Sequence, residues 1–271
     1  MKTALTIAGS DSGGGAGIQA DLKAFQANGV FGMSAITAIT AQNTVAVTAA
    51  EGVALPLIRA QIDAVFDDLP VHAVKTGMLP TRAVVDCVVE ALADREVPFL
   101  VIDPVMVSST GFDLIDSEAE RALVTGLFPR ATVITPNTRE AERLLGTPVR
   151  TLDEARAAVV ALGRLGACAV LLKGGHLEDG DDSVDLLWDG ERVHAFSAPR
   201  IATQNTHGTG CTTAASLAAN LAKGHSLVES VRRTKRYVHG AISAGLDLGR
   251  GHGPTHHFWF LSGSGLFPAD D

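Results

Sequence analysis

The chain has 271 residues, of which 46% are hydrophobic, and its mean hydropathy is +0.21, so it can bury a substantial core. Its formal net charge of -8 argues against a nucleic-acid partner, because such proteins usually concentrate lysine and arginine on one face. Neither a signal peptide nor an apolar run of the roughly 18 residues that cross a membrane is evident. The sequence therefore predicts a cytoplasmic protein whose partner is a small molecule or another protein.

Short apolar runs alternate with longer helical patterns along most of the chain. The predicted strands lie at residues 4–8, 35–41, 73–75, 99–102, 132–134 and 169–172. The predicted helices lie at residues 18–28, 57–66, 83–93, 118–127, 153–165, 211–223 and 227–246. This alternation, with strands that are apolar along their whole length, predicts an α/β fold with a mostly parallel sheet covered by helices on both faces.

A hairpin is predicted after the last of these parallel strands. Two strand-like runs, 184–188 and 193–196, flank Asp189 and Gly190, and an Asp-Gly pair between such runs is a typical hairpin turn. We therefore expect a short antiparallel edge. With no linker or repeat in view, residues 1–261 are predicted to form a single domain, and residues 262–271, rich in glycine, serine and acid, a frayed tail.

A glycine-rich loop, NTHGTGC at 205–211, leads into an apolar helix. The backbone amides of Gly208, Thr209, Gly210 and Cys211 would converge at the helix N-terminus, where negative charge on a phosphoryl group in transfer is favoured. A helix start also lowers a thiol pKa, so Cys211 could accept a proton from the acceptor hydroxyl or make a polar contact beside its oxygen. The alternative for Cys211 is a small packing residue.

A second glycine-rich loop, GSDSGGGAG at 9–17, lies between the first predicted strand and the first helix. Clustered glycines let a backbone approach a ligand closely. The loop fits neither a Walker A motif, which needs Lys-Ser/Thr, nor a dinucleotide motif, because Ile18 stands where a third glycine is required. It is either one wall of a ligand site or simply a tight strand-to-helix turn.

Polar residues follow several predicted strands at their carboxyl ends, where open α/β sheets bind ligands. They are Asp103, Asn137, Glu140 and Lys173. Carboxylates with one lysine suit a Mg²⁺-bound nucleotide, because Mg²⁺ takes few protein oxygens and lysine offers a point charge to phosphate. Alternatively, Glu140 is a solvated acid that favours a helix start, and Asp103 is a turn residue before a proline.

Seven ordered motifs between residues 3 and 258 resemble the hydroxymethylpyrimidine and phosphomethylpyrimidine kinases of thiamine biosynthesis, which belong to the ribokinase-like superfamily. The motifs are GSDSGGGAGIQAD at 9–21, AQNT at 41–44, KTGML at 75–79, DPVM at 103–106, TPNTRE at 135–140, KGGH at 173–176 and THGTGC at 206–211. Most of the superfamily has an aspartate as general base where this chain has Cys211, and a cysteine there is typical of the pyrimidine-kinase branch and its vitamin-kinase relatives.

The resemblance implies roles for individual residues. Substrate-binding residues would be the hydrogen-bonding Asp21 and Gln42 and the ring-pocket residues Ala16, Met78 and Val105. Nucleotide-binding residues would be Asn137, Glu140, Lys173 and Thr209, with the metal near Asp103 and Glu140. The catalytic residues would be Cys211, Gly208, Gly210 and Lys173.

The resemblance implies ATP-dependent phosphorylation, with Mg²⁺, of 4-amino-5-hydroxymethyl-2-methylpyrimidine and then of its monophosphate, by a homodimer. The nearest enzymatic alternative is a pyridoxal or pyridoxine kinase, since that ring also carries a hydroxymethyl acceptor. An alternative of another class is a catalytically silent ligand-binding protein.

Overall fold

The computed structural model describes residues 1–107, 111 and 113–262. Within these residues, nine strands form one sheet. They are β1 (Thr3–Asp11), β2 (Phe31–Gln42), β3 (Val47–Gly52), β4 (Ala73–Thr76), β5 (Leu100–Ile102), β6 (Val133–Ile134), β7 (Val170–Leu172), β8 (Asp182–Trp188) and β9 (Val193–Pro199).

Eight α-helices flank this sheet in the described part of the chain. They are α1 (Gly17–Ala27), α2 (Leu55–Asp68), α3 (Arg82–Ala93), α4 (Ser117–Ala122), α5 (Thr138–Leu145), α6 (Leu152–Gly163), α7 (Thr209–Ala222) and α8 (Leu227–Ser243). Helix α4 continues through one wider turn, Leu123–Leu127, and a short 3₁₀ turn, Phe128–Arg130.

The strands run in the order β3-β2-β1-β4-β5-β6-β7-β8-β9, and the six from β2 to β7 are parallel. The mostly parallel sheet with helices on both faces is therefore confirmed, as is the antiparallel hairpin β8–β9 at one edge. The opposite edge carries a second antiparallel strand, β3, which the sequence analysis missed. Its exposed, small-residue sequence gives no apolar pattern for a strand.

Alternate residues of the central strands enter two separate apolar cores, one on each face of the sheet. Leu5, Val74 and Ile102 contribute to the core under α2, α3 and α6, whereas Ala4 and Val101 contribute to the core under α1, α7 and α8. Side chains on successive strand residues point to opposite faces, so strands buried on both sides must be apolar throughout.

Helix α7 is buried along most of its length, from Thr212 to Ala222. Its alanines and other small residues let it pack closely between α1, α8 and the sheet. This packing fixes the position of its N-terminus beside the carboxyl ends of the strands. The single-domain assignment stays a prediction, and the predicted tail, from residue 263 onward, lies outside the described residues.

Candidate active site

Three polar residues meet at the carboxyl ends of neighbouring parallel strands. Asp103 follows β5, Asn137 follows β6 and Lys173 follows β7. The backbones of Asn137 and Lys173 form an isolated parallel β-bridge. Lys173 Nζ lies 2.8 Å from Asp103 Oδ1, and Thr135 Oγ1 donates to the same oxygen at 3.1 Å. The sequence-based grouping of Asp103, Asn137 and Lys173 is thus found in the structure.

The Asp103–Lys173 ion pair is nearly removed from solvent, with 2% and 13% of the two side chains exposed. Burial alone would raise the pKa of Asp103, but the nearby ammonium groups of Lys173 and Lys75 outweigh it and lower that pKa. Burial likewise opposes the charge on Lys173, and the carboxylates of Asp103 and Glu140 outweigh it, so the pKa of Lys173 is raised. Both groups are therefore charged at neutral pH.

Glu140 lies in the first turn of α5 and forms a capping box with Asn137. Its Oε2 accepts from the Asn137 backbone N–H at 2.7 Å, and its own N–H donates to Asn137 Oδ1 at 2.9 Å. The expected helix-start acid is present, but it is only 7% exposed rather than solvated. This burial raises the pKa of Glu140 to about 7, against the opposing attraction of Lys173.

The N-terminus of α7 lies directly against this polar rim. A Cβ built on Gly210 would lie 3.3 Å from Lys173 Nζ and 3.7 Å from Asp103 Oδ2. The amides in the first turn of a helix have no acceptor within it, so those of Gly210 and Cys211 are available to an anion beside Lys173. Thr209 differs, because its amide and hydroxyl both donate to Thr206 O, at 3.2 and 2.8 Å. The prediction that its amide points at the anion site is wrong for this conformation.

Cys211 is the third residue of α7, and its Sγ accepts a hydrogen bond from the Gly17 backbone. The prediction of a lowered thiol pKa is wrong. Burial raises the pKa of Cys211 to about 11, because the cost of desolvating a thiolate exceeds the favourable effect of Lys75. At neutral pH Cys211 is therefore a neutral thiol, poorly suited to accept a proton.

The two glycine-rich loops are in direct contact. Gly208, the residue before α7, has φ +79°, and a Cβ on it would lie 1.8 Å from Gly15 O and 3.3 Å from Ala16 Cα. Only glycine fits both this backbone conformation and this contact. Ala16, one of the predicted ring-pocket residues, is therefore next to the anion-binding turn.

The other predicted ring-pocket residues lie around the same region. Met78 follows β4 and approaches Gly9, since a Cβ there would lie 3.1 Å from Met78 Cε. Met78 also lines a groove of about 560 Å³ that reaches the β2–β3 edge. Val105 is two residues after Asp103 and its amide donates to Asp103 O at 2.8 Å. Gln42, at the end of β2, is half-buried, with Nε2 3.5 Å from His207 Nε2.

Asp21, the other predicted hydrogen-bonding residue, is buried in an ion pair. It is 0% exposed, and Oδ2 accepts hydrogen bonds from Lys75 Nζ at 2.8 Å and Thr6 Oγ1 at 2.6 Å. Asp21 is therefore out of contact with solvent in this conformation, although its Oδ1 has no hydrogen-bond partner among the described residues. Its role as a substrate-binding residue stays a prediction. Its partner Lys75, also 0% exposed, was missed as a functional candidate, although it begins the KTGML motif.

Asp11 and His207 were not among the predicted site residues, but His207 Nε2 lies 3.0 Å from Asp11 Oδ2. Each lies inside a motif that was identified, but they are 196 residues apart. No local spacing could connect them.

The site can hold a nucleotide-bound divalent cation. The described residues contain no group of three or more histidine, cysteine or acidic side chains that could hold a metal ion by themselves. A Mg²⁺ that comes with phosphates needs only one or two carboxylates, and Asp103 and Glu140, whose charges both act on Lys173, are two that could supply them. The donor set therefore fits Mg²⁺.

A parallel sheet whose strand ends bring a lysine and carboxylates to a helix N-terminus defines a phosphoryl-transfer enzyme of the ribokinase-like class. The model of the phosphomethylpyrimidine kinase family matches residues 11–256. The chain belongs to this family and is a kinase. The alternative of a catalytically silent ligand-binding protein is therefore not supported.

Individual relatives agree with this assignment. The hydroxymethylpyrimidine/phosphomethylpyrimidine kinase of Rhizobium meliloti is 52% identical over 259 residues, which cover 94% of this chain and 96% of that protein. The thiamine biosynthesis bifunctional protein ThiED of Geobacter sulfurreducens is 51% identical over 253 residues, 93% of this chain. The match spans only 51% of ThiED.

Among solved structures, an ADP complex of Bacillus subtilis pyridoxal kinase superimposes with a TM-score of 0.89 at 40% identity. The match covers 96% of this chain and 98% of that one. In the part of the chain that the structure describes, no helix is long and apolar enough to span a membrane.

Proposed function

We propose that this kinase uses ATP to phosphorylate the hydroxymethyl group of 4-amino-5-hydroxymethyl-2-methylpyrimidine, and then phosphorylates the monophosphate to the diphosphate, in thiamine biosynthesis. The observation that carries the proposal is the contact of Gly208 with Gly15 and Ala16. A ring beside Ala16 would present its substituent to the start of α7 and to Lys173. Relatives named for both phosphorylation steps match nearly the whole chain.

On the nucleotide side, Lys173 would contact the transferred phosphoryl group and Asn137 a neighbouring phosphate. Thr209 would not donate to phosphate in this conformation, because its amide and hydroxyl hydrogens are taken by Thr206 O. Asp103 and Glu140 would hold the Mg²⁺, whose charge offsets that of the phosphates when it is bound. Asp103 is already held in place by Lys173 and Thr135, so its carboxylate has little freedom to lose when a ligand binds. A bound cation would lower the pKa of the buried Glu140 and keep its carboxylate ionised.

On the acceptor side, the Gln42 amide would pair with the ring nitrogen and amino group of the pyrimidine. Thr40 Oγ1, whose hydrogen is shared between Ser10 O at 3.0 Å and Gln42 Oε1 at 3.2 Å, contacts that side chain. Met78, Val105 and Ala16 would enclose the faces and edge of the ring. Asp21 would contribute without touching the substrate, because its carboxylate keeps the buried Lys75 ammonium charged below the site.

Transfer would proceed in line, with a bond forming between the acceptor oxygen and the γ-phosphorus as the bond to ADP breaks. The Lys173 ammonium and the amides of Gly210 and Cys211 would stabilise the negative charge on the moving group. Such transition states need little help from a base, so the hydroxyl proton can leave late, to solvent or to the product phosphate. The neutral Cys211 thiol would then position the acceptor oxygen by a hydrogen bond.

The test is the product spectrum of the purified protein with ATP, Mg²⁺ and the hydroxymethylpyrimidine, followed by anion-exchange chromatography and mass spectrometry. We expect the monophosphate first and then the diphosphate, each dependent on both ATP and Mg²⁺. A Lys173→Ala variant should form neither. Absence of both products with the wild-type protein would overturn the proposal.

A second candidate function, phosphorylation of pyridoxal, is favoured by the 40% identity and close superposition with the B. subtilis pyridoxal kinase. The discriminating measurement is kcat/KM for pyridoxal and for the hydroxymethylpyrimidine under the same conditions. A higher value for pyridoxal would make it the main substrate.

We also propose that the protein is a homodimer in the cytoplasm. Light scattering after size-exclusion chromatography tests the oligomeric state, and cell fractionation tests the location.

A further inference from the structure

The first glycine-rich loop is folded around one buried carboxylate. Asp11 Oδ1 accepts from the Gly13 amide at 2.7 Å, and Oδ2 accepts from the amides of Gly15 at 3.1 Å and Ala16 at 2.8 Å. Burial alone would raise the pKa of Asp11, but the hydrogen bonds from His207 and from the amides of Ala16 and Gly13 outweigh it and lower that pKa. The carboxylate is therefore ionised at neutral pH and sets the shape of the wall that contains Ala16.

The same carboxylate is joined to the second loop. His207 Nε2 lies 3.0 Å from Asp11 Oδ2, and the two side chains are only 6% and 3% exposed. The imidazole packs directly against the first loop, because a Cβ on Gly15 would lie 2.2 Å from His207 Cδ2. The His207 amide also donates to Gly253 O at 3.0 Å, so its backbone is fixed from the opposite side.

The hydrogen bond to Asp11 determines which ring nitrogen of His207 carries hydrogen. An ionised carboxylate can only accept, so the His207 Nε2 must be the donor. That nitrogen then cannot accept from the Gln42 amide, whose Nε2 lies 3.5 Å away. The hydrogens of the Gln42 amide are therefore not taken by His207, and this leaves them available to an acceptor on a ligand ring.

We propose that Asp11 and His207 form a positioning pair that holds the acceptor-binding wall at a fixed distance from the N-terminus of α7. His207 directly precedes Gly208, the residue in contact with Gly15 and Ala16. The pair thus connects the acceptor side of the site to the amides that stabilise the transferred group. This inference rests on the proposed phosphoryl transfer for its kinetic consequences, but its structural consequence can be measured without substrate.

The kinetic signature follows from geometry. A displacement of about 1 Å between reacting groups can lower turnover about 100-fold. Lys173, Asp103 and Glu140 lie on other elements, so the nucleotide should bind almost as before. In His207→Leu we therefore expect kcat to fall about 100-fold in both phosphorylation steps. KM for ATP should change by less than about 3-fold, which is under 1 kcal/mol.

The matched variants separate positioning from general stability. His207→Gln keeps an N–H donor near the original Nε2 and should restore kcat to within about 10-fold of wild type. His194→Leu breaks another His–Asp contact, the 2.6 Å approach to Asp189 in the β8–β9 hairpin, and should leave kcat unchanged. Equal loss of kcat in the Gln and Leu variants, or unchanged kcat in His207→Leu, would overturn the proposal.

Hydrogen exchange measured by mass spectrometry tests the link itself. In His207→Leu, peptides covering residues 12–17 and 207–211 should lose protection together, whereas His207→Gln should retain it. Loss confined to residues 207–211 would refute the link between the loops. If the wild-type protein phosphorylated neither acceptor, the proposed function would fail, and this exchange experiment would still decide whether the pair joins the two loops.

Discussion

Lys75 Nζ and Asp21 Oδ2 lie 2.8 Å apart, and neither side chain has any exposed surface. Burial opposes the charge on Lys75, but the carboxylate of Asp21, with a further contribution from Asp103, outweighs this effect and raises the pKa of Lys75. Asp21 and Lys75 therefore form a buried ion pair below the site, close enough to Cys211 to influence the pKa of its thiol.

Removing one partner of this pair should destabilise the protein. Asp21→Asn leaves the Lys75 ammonium buried without its counter-charge, and we expect the free energy of unfolding to fall by about 3–5 kcal/mol in urea denaturation. The control is Asp86→Asn, which breaks an exposed pair with Arg82 and should cost less than about 1 kcal/mol. A large loss of pyrimidine affinity without loss of stability would instead support Asp21 as a direct ligand.

Glu140 should make stability depend on pH in the direction opposite to an ordinary surface carboxylate. Its folded-state pKa, about 7, lies above the unfolded value of 4.5, so its contribution is fully present below pH 4.5 and is lost as pH rises through 7. Between pH 5 and 8, wild type should lose on the order of 3 kcal/mol relative to Glu140→Gln, as measured by denaturation at each pH.

Glu154 provides the matched control for Glu140. It occupies the same capping-box position, at the start of α6, but it is exposed and hydrogen bonds to the backbone of Arg150 and Thr151 lower its pKa. Its contribution is present above the unfolded pKa and is lost as pH falls. Compared with Glu154→Gln, wild type should therefore lose no stability between pH 5 and 8. The same pH trend in both comparisons would argue against burial as the cause.

Cys211 should behave as a neutral hydrogen-bonding thiol rather than as a general base. Cys211→Ala should lower kcat about 10-fold, the effect of one lost hydrogen bond, and not by the roughly 100-fold or more that follows loss of a general base. Alkylation by iodoacetamide at pH 7.5, followed by mass spectrometry, should modify the exposed Cys168 well before Cys211. Faster modification of Cys211 would indicate a thiolate and contradict the raised pKa.

Gly208→Ala should abolish most activity because the added methyl group meets the Gly15 carbonyl oxygen. The two loops would have to separate, and we expect kcat to fall by about 100-fold or more. Gly146→Ala has the same backbone strain, with φ +69°, but has nothing within 4 Å of the added atom. This control should cost about 1–2 kcal/mol of stability and leave steady-state kinetics unchanged.

Gln42→Leu should weaken pyrimidine binding far more than ATP binding. Loss of hydrogen bonds to the ring should raise KM for the pyrimidine about 10- to 100-fold and leave KM for ATP nearly constant. Gln61→Leu is the control, because that side chain bonds to the backbone of Ile36, six residues before Gln42 in β2 and away from its carboxyl end. Equal increases for both substrates would remove Gln42 from the acceptor site.

Much of the fold could be predicted from local pattern. Apolar strands alternating with helical segments indicated the parallel sheet, and Asp189-Gly190 indicated the β8–β9 hairpin. Strand β3 could not be found this way, because its residues are exposed and it is ordered by pairing with β2. Helix α5 was also missed, since its eight residues are mostly polar and it depends on the Asn137–Glu140 capping box.

The sequence by itself determined the fold class, the family and the chemical groups at the strand ends, because periodicity and motif order are local properties of the chain. Only the tertiary structure decided how those groups behave. It buried Asp21 against Lys75, joined Asp11 to His207 across 196 residues, and placed Cys211 where desolvation keeps the thiol neutral. Burial and contact between distant segments set both pKa and accessibility, and neither is encoded in the spacing of a motif.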